Sequence, residues 1–348
     1  MNVYHIDPLK DNRWAEFVEA HPQSSIFHTS GWLQALQSTY GYEPIAFTGS
    51  EPNEPLQNAL VFAKVSSWLT GNRIVSLPFS DHCAPLVDRD ATYPVLMEFA
   101  ITQAKLQKWK YVEIRPLSSS GEAERSAAFG PAETFAFHMV DLRPDLDALL
   151  KSFHKSCVQR KLTKAEKEGL HYSVGRSEEL IENFYRLLLV TRRRHQLPPQ
   201  PRVWFRNLVK TLGERLQIHL VSKDSRPIAT ILTLRHKKTL VYKYGCSDSQ
   251  YNKYGGTILL FWRAIQEAKA WGAESFDLGR SESSNSGLIE FKGHWGAPLQ
   301  QIHYYRYPAQ AWVTDGAGWK MRLVHNACSR LPDPVLQSIG NVLYRHVG

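Results

Sequence analysis

The apolar positions in the last third of the chain follow two different periods. Leu240, Tyr242 and Tyr244 alternate with residues of the other face, which predicts a β-strand. A glycine pair, Gly255–Gly256, then precedes a long run whose apolar residues recur at helical spacing. A second short strand follows between Glu274 and Leu278. The pattern predicts a βαβ unit with a glycine turn before its helix.

The same order of elements occurs in the first half of the chain. Three strand-like segments precede a helix from Tyr93 to Trp109, and the segment KYVEIRPL follows as a strand. In the second half, three strand-like segments precede the glycine turn, its helix and the segment ESFDLGRS. Two helices come before the strands in each half. We therefore predict a tandem repeat of one α/β domain, whose mixed sheet is antiparallel at first and parallel across the crossover helix.

This repeat sets the predicted domain boundaries. Residues 1–141 form the first copy, which has no glycine pair before its helix and is expected to bind an acceptor or to serve as a scaffold. Residues 142–307 form the second copy, and residues 308–348 form a helical tail. In the tail, Val335, Ile339, Val342 and Leu343 are expected to form an apolar stripe that packs on a domain or touches a membrane surface.

The glycine pair is the first candidate for chemistry. Glycine lets the backbone N–H groups at a helix start approach a ligand closely, and the helix dipole favours an anion such as a phosphate. The alternative is a tight turn with close packing and no ligand. The spacing does not match the motifs of nucleotide-hydrolysing P-loops or of dinucleotide-binding folds.

A basic segment, LLKSFHKSCVQRKLTKAEKEGL, opens the second copy. We predict one helix, in which Val158, Leu162 and Ala165 make a narrow apolar stripe. Arg160 and Lys164 lie on another face, with further lysines beside them. The functional interpretation is contact with a phosphate or a nucleic acid, and the alternative is a solvated helix face.

Composition narrows the class of protein. The chain has 348 residues, 43% of them hydrophobic, and a net charge of +9 that points to anionic partners: nucleic acid, an anionic membrane face or phosphate-bearing small molecules. No apolar run approaches the length of a membrane span, and no signal peptide is apparent, so we expect a cytoplasmic location, with peripheral contact at an anionic membrane left open. The four cysteines, far apart, predict reduced thiols and no metal.

Several motifs together resemble the FemAB-related acyltransferases of the GNAT superfamily. They are SSIFHTSGW near the start, KYVEIRP, KSCVQRKLTKAEKEG at the start of the second copy, and FDLGRS followed by GLIEFKGHWGAP at its end. The match covers about Ser24 to Tyr307. The resemblance implies transfer of an acyl or aminoacyl group to an amine. Acyl-CoA or aminoacyl-tRNA would be the donor, and no cofactor would be tightly bound.

The resemblance also implies a donor site at the glycine turn. Where GNAT proteins hold the pyrophosphate of the donor, this chain has Tyr254, Gly255, Gly256 and Thr257. The GNAT pattern places Arg or Gln three residues before the first glycine, and Asn252 stands there instead. Lys253 or Gln250 is expected to replace that side chain.

Acyl transfer to an amine needs a base, an oxyanion-stabilising group and alignment of both substrates. By its place in the family motif, Lys292 is expected to supply positive charge; a surface lysine is the alternative. Asp277 is expected to orient a group or act as a base, unless it only binds backbone. Tyr254 is expected to donate a proton to the leaving thiolate, or else to pack as an ordinary buried aromatic. His28 and His294 have suitable intrinsic pKa values but are usually structural residues.

Arg280, Glu282 and Asn285 follow the crossover strand at the edge where α/β sites form, and we expect them to contact the acceptor. The sequence thus predicts an N-acyltransferase acting on an amine of a cell-envelope or polysaccharide-related molecule, which is small or linked to a lipid or nucleotide. The alternatives are an aminoacyl-tRNA-dependent peptidyltransferase acting on a peptidoglycan precursor and a non-catalytic binding module.

Overall fold

A computed structural model describes residues 1–87, 91–117, 128–309 and 331–347. The chain forms two compact units. The first unit comprises Met1–Phe135, Gln301–Thr314 and Asn341–Gly348, and the second comprises Ala136–Gln300 and Asp315–Gly340. Each unit thus takes residues from more than one stretch of the chain, whereas the predicted domains are continuous.

The strands, in chain order, are β1 (Tyr4–Ile6), β2 (Glu43–Thr48), β3 (Asn58–Val65), β4 (Arg73–Val75), β5 (Leu86–Val87), β6 (Val112–Ile114), β7 (Gly130–Asp141), β8 (His171–Gly175), β9 (Leu216–Lys223), β10 (Arg226–His236), β11 (Thr239–Ser247), β12 (Ser275–Glu282) and β13 (Leu299–Tyr307). The helices are α1 (Trp14–Ala20), α2 (Ser30–Tyr40), α3 (Thr92–Leu106), α4 (Leu146–Ser152), α5 (Arg160–Lys167), α6 (Glu178–Arg194), α7 (Arg202–Leu212), α8 (Gly256–Ala270), α9 (Ser286–Gly293) and α10 (Asp333–Leu343). No helix in the described part of the chain is long and apolar enough to cross a bilayer.

The sheet of the first unit has an antiparallel part and a parallel part. Strands β1, β2, β3 and β4 pair in that order, each antiparallel to the next. Strand β6 then pairs parallel with β4, after the crossover helix α3. Strand β13 adds antiparallel to β6, and the short β5 pairs with β3.

The second unit repeats this plan. Strands β8, β9, β10 and β11 pair antiparallel in order, and β12 pairs parallel with β11 after the crossover helix α8. Helices α6 and α7 stand between β8 and β9, as α1 and α2 stand between β1 and β2. The predicted mixed α/β fold with two tandem copies is therefore confirmed.

Helix α8 is buried because its apolar positions are more numerous than one stripe requires. Phe261 and Ile265 are fully buried, and Phe261 stacks on Trp295 with ring centroids 5.1 Å apart. Phe276 of β12 also packs on the Phe261 ring, with ring centroids 5.8 Å apart. The crossover helix and the strand that follows it thus share one core, which holds the start of α8 in a fixed place.

The predicted basic helix is not continuous, and this expectation was wrong. Helix α4 ends at Ser152, and Phe153 adopts an extended backbone with its ring buried near Trp262 and Trp295. Lys155–Gln159 then forms a π-type turn before α5. The chain breaks here because burying the Phe153 ring among these aromatic rings outweighs the loss of helical hydrogen bonds. The predicted stripe of Val158, Leu162 and Ala165 is buried.

The tail helix α10 packs through a different face from the predicted one. Leu336 and Gly340 are its buried residues, whereas Val335 and Val342 are exposed. A Cβ on Gly340 would lie 2.0 Å from the carbonyl oxygen of Pro199, so only glycine fits at this contact. Residues 310–330 of the predicted helical tail lie outside the described residues.

A buried histidine ties three elements of the second unit together. The ring nitrogens of His219 lie 2.7 Å from the Tyr172 hydroxyl and 2.8 Å from the Thr233 hydroxyl. The Tyr172 hydroxyl donates to Glu267 of α8 at 2.7 Å, so the ring N–H of His219 donates to Tyr172 and its other nitrogen accepts from Thr233. Burial lowers the pKa of His219 to about 3, which keeps the ring neutral.

This neutral histidine predicts loss of stability in acid. The unfolded chain binds a proton at His219 below about pH 6.5 while the folded chain does not, so the free energy of unfolding falls as the pH drops from 6.5 towards about 3. The contribution is roughly 1.4 kcal/mol per pH unit. Urea unfolding at a series of pH values should show that the free energy of unfolding depends less steeply on pH in His219→Gln than in the unsubstituted protein.

The exposed His171 on β8 supplies the matched control. His171→Gln should leave the dependence of unfolding free energy on pH unchanged. Equal slopes for His219→Gln and the unsubstituted protein would contradict the assignment of this acid sensitivity to His219.

Candidate functional site

Strands β11 and β12 pair along only part of their length. Their parallel pairing covers three residue pairs and ends at Val241 and Asp277. Beyond it, Tyr242–Ser247 of β11 and Leu278–Glu282 of β12 are not paired with each other. We call these two segments the strand fork. Because the strands are parallel, the fork opens at their carboxyl ends, where ligand sites of α/β sheets form.

The departure of β12 has a local cause. Gly279 has φ +70°, a left-handed conformation that other residues adopt only with strain. The carboxylate of Asp277 accepts the N–H of Gly279 at 2.7 Å, which holds the turn and satisfies a donor that has left the sheet. Asp277 is itself buried. The structure therefore uses this predicted site residue to shape one side of the fork.

Strand β11 bends at the same level. Leu232 of β10 faces Tyr244, but the next residue, Thr233, faces Tyr242, so Lys243 is an extra residue in β11. Such a β-bulge bends its strand and is common beside active sites. A Cβ on Gly245 would lie 1.9 Å from the hydroxyl oxygen of Tyr242, so that phenol lies against the backbone of the fork. Burial raises the pKa of Tyr242, and the phenol keeps its proton.

Lys292 braces the fork from helix α9. Its side chain is only 1% exposed, and Nζ donates to the carbonyl oxygens of Gly279 and Arg280 at 2.8 and 2.9 Å. The structure thus brings the predicted Lys292 and Asp277 to the same turn of β12. Lys292 donates to two backbone carbonyl groups of this turn, and Asp277 accepts a backbone N–H of the same turn.

A histidine that the sequence patterns did not single out lies near this lysine. His138 of β7 is buried, and its Nδ1 has no hydrogen-bond partner in the described part of the chain. Burial and then the charge of Lys292 lower its pKa, so the imidazole is neutral at physiological pH. The nearly continuous apolar run FAFHMV, which is typical of a strand buried on both faces, was the available signal for placing His138 in the sheet.

The glycine turn stands directly at the start of α8. Gly255 has φ +75° and is the N-cap, and no side chain caps the helix in the described structure. The first N–H groups of a helix have no partner within the helix, so they are available to an anion. A Cβ on Gly256 would lie 3.2 Å from Ile228 and 3.4 Å from Ala229. The two glycines therefore allow close packing against β10 and leave the backbone N–H groups at the start of α8 available.

Helix α5 packs against this turn. A Cβ on Gly255 would lie 3.1 Å from both the Ala165 side chain and the Lys161 carbonyl oxygen. The exposed Arg160 and Lys164 belong to the same helix. The predicted anion-binding turn and the predicted basic segment, about ninety residues apart in the sequence, are therefore neighbours.

Two more lysines flank Tyr254. The Nζ atoms of Lys223 and Lys253 lie 5.6 and 5.1 Å from the centre of its ring. We call Arg160, Lys161, Lys164, Lys223 and Lys253 the cationic surface of the glycine turn. Thr257, in the first turn of α8, is half-buried beside it.

The remaining predicted residues lie farther along the chain. Glu282, at the end of β12, is exposed, and Arg280 is half-buried. The Asn285 side chain accepts the N–H of Leu288 at 3.1 Å and so caps α9. His294 ends that helix, with its ring 4.6 Å from the ring of His154.

The hydroxyl of Tyr244, on β11, accepts the indole N–H of Trp204 at 2.9 Å. His28 belongs to the first unit, where its ring nitrogens lie 3.0 Å from the Ser25 N–H and 3.0 Å from the Ala84 carbonyl oxygen. These contacts are those of structural side chains.

The corresponding place in the first unit is filled by its own chain. At the position of Asp277, β6 carries Glu113, a buried carboxylate that accepts hydrogen bonds from Arg115 at 2.7 Å and Arg306 at 2.6 Å. The Cys83 N–H donates to the Arg115 carbonyl oxygen at 2.6 Å and pairs with the end of this strand. In the first unit, the chain at Cys83 thus pairs with the end of the parallel strand, whereas in the second unit the end of β12 is not paired with β11.

Comparison with known proteins agrees with this geometry. Residues 152–292 match the family model described as an acetyltransferase (GNAT) domain. This range contains the glycine turn, the cationic surface, the strand fork and Lys292. A search of curated protein sequences gives no significant match.

Several solved structures share the fold over most of the chain. The crystal structure of FemX superposes with a TM-score of 0.68 and 14% identity, covering 92% of this chain and 99% of FemX. A tandem GNAT protein from the clavulanic acid biosynthesis pathway gives 0.58 and 11%, covering 90% and 100%. The C-terminal domain of a putative lysylphosphatidylglycerol synthetase from Agrobacterium fabrum gives 0.56 and 14%, covering 92% and 96%. At these identities the likeness establishes the fold.

The brace formed by Lys292 predicts a measurable cost. Lys292→Met removes the ammonium group and leaves two carbonyl oxygens of β12 without that donor. The free energy of unfolding should fall by roughly 2 kcal/mol, as expected for unsatisfied buried polar groups. Urea unfolding measures this loss, and Lys164→Met on exposed α5 is the control, with an expected change of about 0.5 kcal/mol or less. Undiminished stability of Lys292→Met would contradict the bracing role.

Proposed function

From the premise that this chain carries an acyltransferase domain of the GNAT type in a FemX-like fold, we propose that it transfers an acyl group from acyl-CoA to an amino group. The proposed acceptor is a cell-envelope or polysaccharide-related molecule. The observation that carries the proposal is the contact of basic helix α5 with the glycine turn that opens α8, beside the strand fork.

The glycine turn and the cationic surface fit the phosphates of CoA. The pyrophosphate is an anion that the backbone N–H groups at the start of α8 can bind, assisted by the helix dipole. Arg160 and Lys164 supply exposed positive charge on the neighbouring helix. Asn252 stands where the family pattern has Arg or Gln, and the neighbouring Lys253 supplies a positive charge in its stead. Thr257 offers a hydroxyl in the first turn.

The strand fork fits the acyl-bearing arm of the donor. This arm is an extended chain of amides, and backbone groups of β11 that face the fork can pair with it as they would with another strand. Its thioester would then lie between β11 and β12. Backbone N–H groups beside the bulge at Lys243 can donate to the oxyanion that forms when the amine attacks.

The reaction requires two proton movements. The amine nitrogen attacks the thioester carbonyl carbon, the carbon–sulfur bond breaks, and the CoA thiolate leaves and takes up a proton. The neutral imidazole of His138 is suited to accept the surplus proton of the amine. Tyr254 is the sequence-predicted donor to the thiolate, and the protonated phenol of Tyr242 also lies at the fork. In this proposal Lys292 and Asp277 position the reacting backbone and do not exchange protons.

The acceptor half of the proposal is supported by the structural relatives. One relative is the C-terminal domain of a putative lysylphosphatidylglycerol synthetase, and FemX shares the fold over nearly its whole length. Arg280, Glu282 and Asn285, at the far end of the fork, are the candidates for acceptor contact. The cationic surface also suits the phosphates of an aminoacyl-tRNA, which is the second candidate donor.

Charge reversal on α5 tests the donor site. The double variant Arg160→Glu/Lys164→Glu should bind acetyl-CoA at least about tenfold more weakly, because each charge-assisted contact to a phosphate contributes on the order of 1 kcal/mol or more. Calorimetric titration at two salt concentrations measures the affinity and its salt dependence. Arg186→Glu/Lys210→Glu, on the exposed faces of α6 and α7, changes the net charge equally and should bind as the unsubstituted protein does.

Titration with acetyl-CoA and with charged tRNA separates the three candidate functions. Equal affinity of the two double variants for acetyl-CoA would contradict the proposed site. Binding of charged tRNA but no acyl-CoA, with steep salt dependence, would favour the peptidyltransferase. If the protein binds neither donor, the result would favour a non-catalytic binding module.

His138 as the base predicts a pH dependence of turnover. Because burial and Lys292 lower its pKa, the acid limb of kcat/KM should lie below the ordinary histidine value of 6.5. His138→Gln should lose that limb and reduce turnover by about a hundredfold or more, with acyl-CoA affinity unchanged. A profile with the same acid limb in His138→Gln would assign the base elsewhere.

A further inference from the structure

Two histidines and a cysteine of the second unit converge outside the strand fork. His154, Cys157 and His294 each offer one ligand atom, and these atoms lie within 4.8 Å of one another. His154 and Cys157 belong to the turn between α4 and α5, and His294 ends α9. The His154 N–H donates to the His294 carbonyl oxygen at 2.9 Å, which ties the two segments together. Sequence spacing gave no signal, because the third residue lies far along the chain.

We propose that this cluster is a binding site for Zn²⁺. Two imidazole nitrogens and one thiolate form a donor set that zinc prefers, and three protein ligands leave a fourth position for water. Bond lengths of about 2.0 Å to nitrogen and 2.3 Å to sulfur place ligand atoms of one zinc ion roughly 3.5 Å apart. Side-chain rotation can supply the small contraction from the present spacing, because His154 is exposed and Cys157 and His294 are only half-buried.

A carboxylate stands behind one of the ligands. Glu290 Oε1 lies 3.5 Å from Nε2 of His294, one helical turn earlier on α9. A histidine that directs one ring nitrogen at a carboxylate presents the other to a metal, and such partners orient the ring. Nδ1 of His294 is therefore the nitrogen assigned to the zinc ion.

Binding at His154 changes the turn that precedes α5. Nδ1 of His154 now accepts the N–H of Cys157 at 3.1 Å, and a neutral imidazole has a single nitrogen lone pair. Coordination by either nitrogen of this ring therefore replaces that hydrogen bond. The Cys157 thiol must also release its proton to solvent to become the thiolate ligand, so zinc affinity should rise with pH.

Metal titration of the full chain tests the site. Metal-free protein, prepared with a chelator, is titrated with Zn²⁺ in competition with a chromophoric chelator. We expect one ion per chain, and a loss of affinity of at least about tenfold in Cys157→Ser and in His294→Ala. Co²⁺ loading should give a thiolate-to-cobalt absorption band that is absent from Cys157→Ser. His171→Ala, a substitution of an exposed histidine on β8, should bind as the unsubstituted protein does.

Thermal unfolding of each metal-free variant shows whether it is folded, so that a loss of binding is not a loss of structure. Absence of stoichiometric binding in the unsubstituted protein would overturn the proposal. Equal affinity of Cys157→Ser and His171→Ala, or a cobalt complex without a thiolate band, would overturn it as well. None of these results depends on acyl transfer.

Discussion

The candidate site depends on how the protein satisfies backbone groups where β12 leaves its neighbour. A buried strand that loses its partner leaves N–H and carbonyl groups unpaired, at a cost comparable to lost hydrogen bonds. Asp277 takes the N–H of Gly279, and Lys292 takes two carbonyl oxygens, those of Gly279 and Arg280. Two buried charged side chains thereby pair backbone groups of β12 at the fork. The fork, the bulge of β11 that borders it and the glycine turn at the start of α8 together form the candidate site.

The two units share one strand arrangement but differ in how the end of the parallel strand is hydrogen-bonded. Both have four antiparallel strands and a parallel strand that follows a crossover helix. In the first unit, Glu113 is held between Arg115 and Arg306, and the chain at Cys83 pairs with the strand end. The first copy therefore has its backbone donors and acceptors paired internally, which suits a scaffold. The second copy keeps its donors available at the glycine turn and its strands apart.

Periodicity was sufficient to predict the order of elements, the repeat and the βαβ unit, since these depend on local pattern. It could not predict the left-handed Gly279, because a glycine in a strand pattern does not reveal where pairing stops. The break at Phe153 depends on aromatic rings contributed by distant segments. The buried face of α10 is set by contact with Pro199, which local sequence does not encode. The resemblance selected Lys292, but only its burial revealed what the ammonium group binds.

The contact between α5 and Gly255 divides that helix into a fixed side and a variable side. Its inner residues are constrained, since the glycine below them has positive φ and no space for a side chain. Its outward positions, including Arg160 and Lys164, face solvent and are free to change without disturbing the core. At the proposed donor site, substrate choice can therefore diverge by exchange of a few outward side chains on one short helix. Engineering of a new donor preference would begin there and leave the turn intact.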